Sequence, residues 1–165
     1  MANGYMEDNI KILSKMKMFC SICEEEHDVE LIEKEKETII KGKKIKYKEK
    51  FYRCNKYEDE NTFQSEELWN EGLINSINAY RSENNLLTSR EIKQIRNKYK
   101  ITQLEMAKLL GVGDITVTRY ETKQIQDEAH DKIMRLIDEN ALIALEYLEK
   151  NKENFKNGER YETIE

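Results

Sequence analysis

Proline is absent from this sequence of 165 residues, so none interrupts the helical and alternating patterns read below. No run of about 18 apolar residues exists, which excludes a membrane-spanning helix. The N-terminus, MANGYMEDNIKIL, carries acidic residues and no apolar core of signal-peptide length, and a cytoplasmic protein is expected. Only three cysteines are present, two of them in a C-x-x-C. That number disfavours a disulfide scaffold and suits a metal site in a reducing compartment. Histidines number two. No glycine-rich loop follows a strand, and no serine or cysteine sits beside a plausible base, so no enzyme is expected. Charge is what the chain has in plenty, with 28 basic and 33 acidic side chains and a net charge of -5. A negative chain does not announce a nucleic-acid partner, but the average hides local asymmetry.

The length suits one compact domain or two small ones. Residues 1–18 read as an extension with a helical turn around Ile10 to Met16. Residues 19–64 read as a zinc-ribbon-like β-hairpin module. Cys20 and Cys23 are followed by an acidic patch, Glu24 to Asp28, and then by two alternating stretches, VELIEKEKETII and KIKYKEKFYRC. In the second stretch Ile45, Tyr47, Glu49, Phe51 and Arg53 share one face. Gly42 suits a hairpin turn between them. The hairpin returns Cys54 beside Cys20 and Cys23. So few apolar residues make a marginal core, and a metal staple would help.

A closed zinc site needs four ligands, and Tyr57 stands where the second C-x-x-C would end. A phenol with an unperturbed pKa of about 10 is a poor ligand at neutral pH. His27 supplies a nitrogen at C-x2-C-x3-H spacing, and Asp59 is a weaker candidate. Zinc held by Cys20, Cys23, Cys54 and His27 is one reading. A decayed site with His27 as an ordinary surface histidine is the other.

Residues 65–87 read as a connecting helix capped by Ser65, with Trp69, Leu73, Ile77 and Tyr80 on one stripe and Trp69 as a core anchor. Residues 88–137 form a series of short helices. Thr88-Ser-Arg-Glu91 and Thr102-Gln-Leu-Glu105 are capping boxes that mark two helix starts. Ile92, Ile95 and Tyr99 face inward from the first helix, and Leu104, Met106, Ala107 and Leu110 from the second. Gly111-Val112-Gly113 breaks the pattern, and Asp114 is placed to cap a third helix. Ala129, Ile133, Leu136 and Ile137 continue the apolar stripe. Residues 138–165 hold a C-terminal helix, beginning beyond a break at Asn140, and a polar tail. The stripe Ile133, Leu136, Ile137, Leu142, Leu145 and Leu148 is more apolar than a lone helical tail should expose, and points to a homodimer. The whole is an α+β chain.

The strongest signal is TQLEMAKLLGVGDITVTRYE, a helix, a glycine turn and a second helix in helix-turn-helix order. Ala107 permits a close helix crossing, Gly111 supplies the positive backbone dihedral, and Val112 and Val117 lock the second helix on the first. Asp114, Ile115, Thr118 and Arg119 are left outside, where a helix can enter a major groove of double-stranded DNA. Arg119 suits a guanine edge, or else a phosphate contact or a salt bridge with Glu121. Gln103 suits a phosphate, and Thr116 and Thr118 a phosphate or a thymine methyl. Ile115 suits a thymine methyl or a neighbouring subunit, and Lys123 completes the set. From Arg90 to Lys123 there are eight basic residues against four acidic, a local +4 in a negative chain. The alternative is a helical bundle used for protein contacts.

Residues 88–137 resemble the lambda-repressor-like domains of Cro and XRE type, with T-V-T-R-Y-E a strong part of the match. The order of hairpin module, connecting helix and this domain resembles the MqsA-type antitoxin family over residues 19–137. That resemblance implies a zinc module that holds a toxin through residues 19–64, and a C-terminal domain that dimerises and represses its own operon. Arg119 matches the family's base-reading arginine. Ile115 falls where some members place an asparagine. Cys20, Cys23 and Cys54 match three of four zinc ligands, and Tyr57 departs from the fourth. Two other readings keep the DNA binding. One is a stand-alone phage or mobile-element repressor whose N-terminal module senses a metal or ligand. The other is an adaptor that recruits a protein to DNA.

Overall fold

The structure is a computed structural model, and residues 10–57 and 61–150 are described, apart from the side chains of residues 141, 144, 145 and 148. Contacts divide the chain into Met1–Tyr80 and Arg81–Glu165. The architecture is α+β, an antiparallel sheet followed in sequence by helices.

In the first unit, strands β1 (Lys11–Cys20), β2 (Glu25–Ile40), β3 (Lys43–Arg53) and β4 (Thr62–Phe63) form a meander in that order. The β2–β3 turn falls at Lys41 and Gly42, with φ of 48° and 78°. Two successive positive φ values match the right-handed twist of a hairpin, and glycine adopts the second without strain. Val29, Ile32 and Ile45 are fully buried. Residues 11–18, expected as an extension with a helical turn, are instead most of β1, which pairs with β2 from Lys11↔Glu33 to Cys20↔Glu25. Strand pairing with a remote partner overrides the weak local helical preference there.

Helix α1 (Glu66–Glu83) lays Leu68, Gly72, Ser76, Ile77 and Tyr80 inward. Trp69, expected as a core anchor, is 56% exposed. The buried face is rotated by one residue because Gly72 is the point of closest approach to β3. A Cβ there would lie 2.7 Å from Glu49 Oε1 and 2.9 Å from Glu49 Cγ. Glu49 is itself buried and accepts from Tyr47 and Gln64. Lys50 Nζ donates to Glu71 of α1, and Asn75 to the Lys48 carbonyl.

The second unit contains α2 (Ser89–Lys98), α3 (Gln103–Leu110), α4 (Thr116–Thr122), α5 (Glu128–Glu139) and α6 (Ala141–Lys150). Both capping boxes form. Thr88 accepts from the Glu91 N–H while Glu91 accepts from the Thr88 N–H, and Thr102 and Glu105 repeat the exchange. Gly111 ends α3 at φ 67°. The core is built from Leu87, Ile92, Ile95, Tyr99, Ile101, Met106, Ala107, Leu109, Leu110, Val117, Tyr120, Met134 and Ile137.

Three expectations change here. Leu104, expected inward, is 38% exposed, because Glu105 and Met106 take the inward positions of the first turn of α3. Asp114 does not cap α4, whose first helical residue, Thr116, follows Ile115 with no side-chain cap. On α5 the buried face carries Asp131, Met134 and Ile137, while Ala129, Ile133 and Leu136 are exposed. Asp131 sets this rotation. It accepts from the Leu87 N–H, Gln126 and Arg135, so its carboxylate takes an inward position that apolar periodicity would give to a hydrophobe. Asn140 accepts from the Ile143 N–H and starts α6. Arg81 is fully buried and donates to Ser89 and to the carbonyls of Tyr120 and Gln124. Burial pulls its guanidinium down to about 10, still charged at neutral pH.

Candidate metal centre and nucleic-acid interface

Cys20 closes β1, Cys23 lies in the turn that follows, His27 lies on β2, and Cys54 follows β3. The turn is tightened by the Glu24 N–H donating to the Cys20 carbonyl at 2.8 Å, with Glu24 at φ 57°. The Sγ atoms of the three cysteines and a ring nitrogen of His27 all lie within 4.8 Å of one another. A tetrahedral ion with Zn–S bonds of about 2.3 Å spaces its sulfurs by about 3.8 Å, so the four donors need only a small contraction. His27 Nδ1 lies 3.0 Å from the Asp28 carbonyl, and Nε2 lies 3.6 Å from Cys54 Sγ. With the proton on Nδ1, the carbonyl holds the ring and Nε2 presents a lone pair inward.

Burial pushes the Cys20 thiol up. Hydrogen bonds from the Cys23 and Ile22 backbone and from His27 outweigh it and bring the pKa to about 6. Burial and the neighbouring thiols push Cys23 up. One thiolate is thus favoured in the cluster by the protein alone. The donor set of three sulfurs and one imidazole fits zinc and could hold a metal ion. Tyr57 is 53% exposed. Asp59 lies outside the described residues. Sequence spacing alone left His27 and an empty position in balance, and the Met18↔His27 register turns the ring toward Cys54.

In the second unit, α3, the glycine turn and α4 form the bihelical motif. Val117 and Ala107 are fully buried at their crossing. The Val112 N–H bonds the Ala107 carbonyl at 3.0 Å and locks the turn. Asp114, Ile115, Thr118, Arg119 and Lys123 are exposed, and Gln103 and Thr116 are half-buried. The Gln103 side chain is held at both ends. It donates to Glu121 at 2.7 Å and accepts from the Thr118 hydroxyl at 2.9 Å. Glu121 in turn pairs with Arg96, which also donates to the Ile101 carbonyl at 3.0 Å. Glu121 is therefore taken by Arg96 and Gln103, and not by Arg119. No sequence pattern announced the Arg96–Glu121 pair, because a contact between residues so far apart leaves no local period.

Residues 92–129 match the helix-turn-helix family model HTH_3. This is a DNA-binding helix-turn-helix domain of Cro/XRE type. Neither the curated proteins nor the solved structures contain a match to the chain. The family is one of DNA-binding transcription regulators, and the match supports that role for this domain. Among the described residues no helix is long and apolar enough to cross a membrane.

Proposed function

We propose that this protein is the antitoxin of a type II toxin–antitoxin pair. It represses its own operon as a homodimer on double-stranded DNA, and holds a toxin through a zinc-stapled N-terminal unit. Its work as a repressor lies in the cytoplasm, at the nucleoid. The observation that carries the DNA-binding half is the α4 surface, where Thr118 and Arg119 stand exposed beside a Gln103 side chain fixed by Glu121. Arg119 meets a guanine edge, Thr118 meets a phosphate or a thymine methyl, Ile115 meets a thymine methyl, and the α3 N-terminus with Gln103 meets the backbone. Lys123, Thr116 and Asp114 flank this contact.

Cys20, Cys23, Cys54 and His27 hold zinc, which when bound stiffens the β1–β2 turn against the end of β3. Exposed Ile133, Leu136, Leu142, Ile143 and Tyr147 on α5 and α6 support a contact between two copies.

The test is footprinting on DNA upstream of the protein's own gene. An inverted repeat with half-sites about one helical turn apart is expected, and Arg119→Ala weakens it by about 1–3 kcal/mol without a change in melting temperature. Equal binding by the variant would move the recognition face elsewhere. Removing residues 141–165 is expected to give monomers in sedimentation. Co-expression with the adjacent gene tests the antitoxin role, and a neighbour that is harmless when expressed alone counts against it.

A further inference from the structure

Strand β1 is the edge of the sheet, and among the described residues no strand pairs with its outer side. An unpaired strand of this length offers a row of backbone donors and acceptors to any extended segment. The sheet's charges are arranged in cross-strand rows. Lys11, Lys15 and Lys17 on β1 stand opposite Glu33, Glu30 and Asp28 on β2. Glu33 and Glu30 stand in turn opposite Lys50 and Arg53 on β3. The sign thus alternates from strand to strand, which opposite-charge cross-strand pairs favour. β1 carries three lysines and no acidic residue; Lys15 pairs inward with Glu30 at 2.9 Å, and among the described residues no strand on the outer side of β1 brings an acidic partner to continue the row.

Exposed Ile12, Met16 and Phe19 lie among these lysines. The bulge between Ile12 and Ser14 leaves Ser14 to Cys20 in unbroken register, long enough to template a strand. A second copy is disfavoured along the unbroken segment. A two-fold antiparallel pairing of β1 with itself, centred on residue 15, 16 or 17, sets lysine opposite lysine.

We propose that β1 is a docking edge for an extended segment of a partner protein. That segment alternates acidic with apolar residues and adds to the sheet as an antiparallel strand, with its acids opposite Lys15 and Lys17. The same lysines that turn away a second copy select this partner. The proposal deepens the reading of the N-terminal unit as a protein-holding module and rests on it.

The test uses the full-length protein with zinc supplied, followed by hydrogen–deuterium exchange. The probe is a blocked peptide of about nine residues, with glutamate alternating with valine. Controls are the lysine–valine peptide, a glutamate–valine peptide of the same composition without alternation, and a single-stranded oligonucleotide. The acidic alternating peptide is expected to protect residues 11–20 and the controls to leave them exchanging.

Lys17→Glu is expected to weaken the acidic peptide by about fivefold and to create binding of the lysine–valine peptide, a swap that a misfolded protein cannot produce. Equal protection by either control peptide overturns the charge selection. Protection by the oligonucleotide alone assigns the strand to nucleic acid. Protection that is lost on dilution without any probe assigns it to a second copy. If the neighbouring gene's product binds the full chain and neither Lys17→Glu nor β1 exchange responds, the strand proposal falls while the protein-holding reading stands. If that product does not bind but the peptide does, the reverse holds.

Discussion

Arg96 grips Glu121 at two points, Nε to Oε1 at 2.7 Å and Nη2 to Oε2 at 3.2 Å, with little of either side chain exposed. The pair ties α2 to α4 and, through Gln103, ties α3 to both. Breaking a largely buried pair by removing one member strands the other charge. Arg96→Ala is expected to cost about 3 kcal/mol in denaturant unfolding. Arg96→Met combined with Glu121→Leu should recover most of that, since it removes both charges and keeps volume. A loss in the double variant as large as the sum of two single losses would show that the pair acts independently of charge burial.

The four clustered donors give a sharp contrast between His27 and Tyr57. His27→Ala should lower zinc content and affinity, and Tyr57→Phe should leave both unchanged, because His27 Nε2 faces Cys54 and Tyr57 is exposed. Chelation should increase exchange in residues 20–54 while operator binding persists, since the helix-turn-helix has its own core. Elemental analysis of protein purified without chelator reads the first effect. Zinc lost by Tyr57→Phe and kept by His27→Ala would reverse the ligand assignment.

Gly72 sits against Glu49 so closely that a methyl group must displace a buried, hydrogen-bonded carboxylate. Gly72→Ala gains about 1 kcal/mol of helix propensity but overpacks a tight contact at a cost of about 1–3 kcal/mol. Net destabilisation is expected in thermal unfolding. Adding Glu49→Ala should turn the same substitution stabilising, because it empties the space the methyl needs.

Asp131 makes the second unit sensitive to acid. Burial pushes its carboxyl up, but bonds from Arg135, the Leu87 N–H and Gln126 outweigh it and hold the pKa below the ordinary value. The folded state therefore releases this proton more readily than the unfolded state. The stability it contributes is full above the ordinary aspartate pKa of about 3.9 and is lost as pH falls through the folded value. Asp131→Asn should be less stable than the parent at neutral pH, and the gap should narrow in acid. Parallel stability–pH curves would exclude Asp131 as the source.

The elements legible in the sequence are those whose partners lie within a few residues. Thr88 and Glu91, Thr102 and Glu105 exchange bonds over three positions, and Gly111 and Gly42 answer to their own backbone dihedrals. The α3–turn–α4 motif and its outer residues follow from those local signals. The spacing of Cys20, Cys23 and Cys54 already grouped the three sulfurs at one end of the hairpin. What the tertiary structure decided depends on distant partners. Residues 11–18 become a strand because β2 offers a matching edge. Trp69 turns outward because Gly72 alone can approach Glu49. Leu136 turns outward because Asp131 is drawn in by Leu87, Gln126 and Arg135. His27 joins the sulfurs because strand register brings it there. Capping and turn energies are fixed by neighbours in the chain. Which face of a helix is buried, and which strand an edge pairs with, is fixed by groups that only folding brings close.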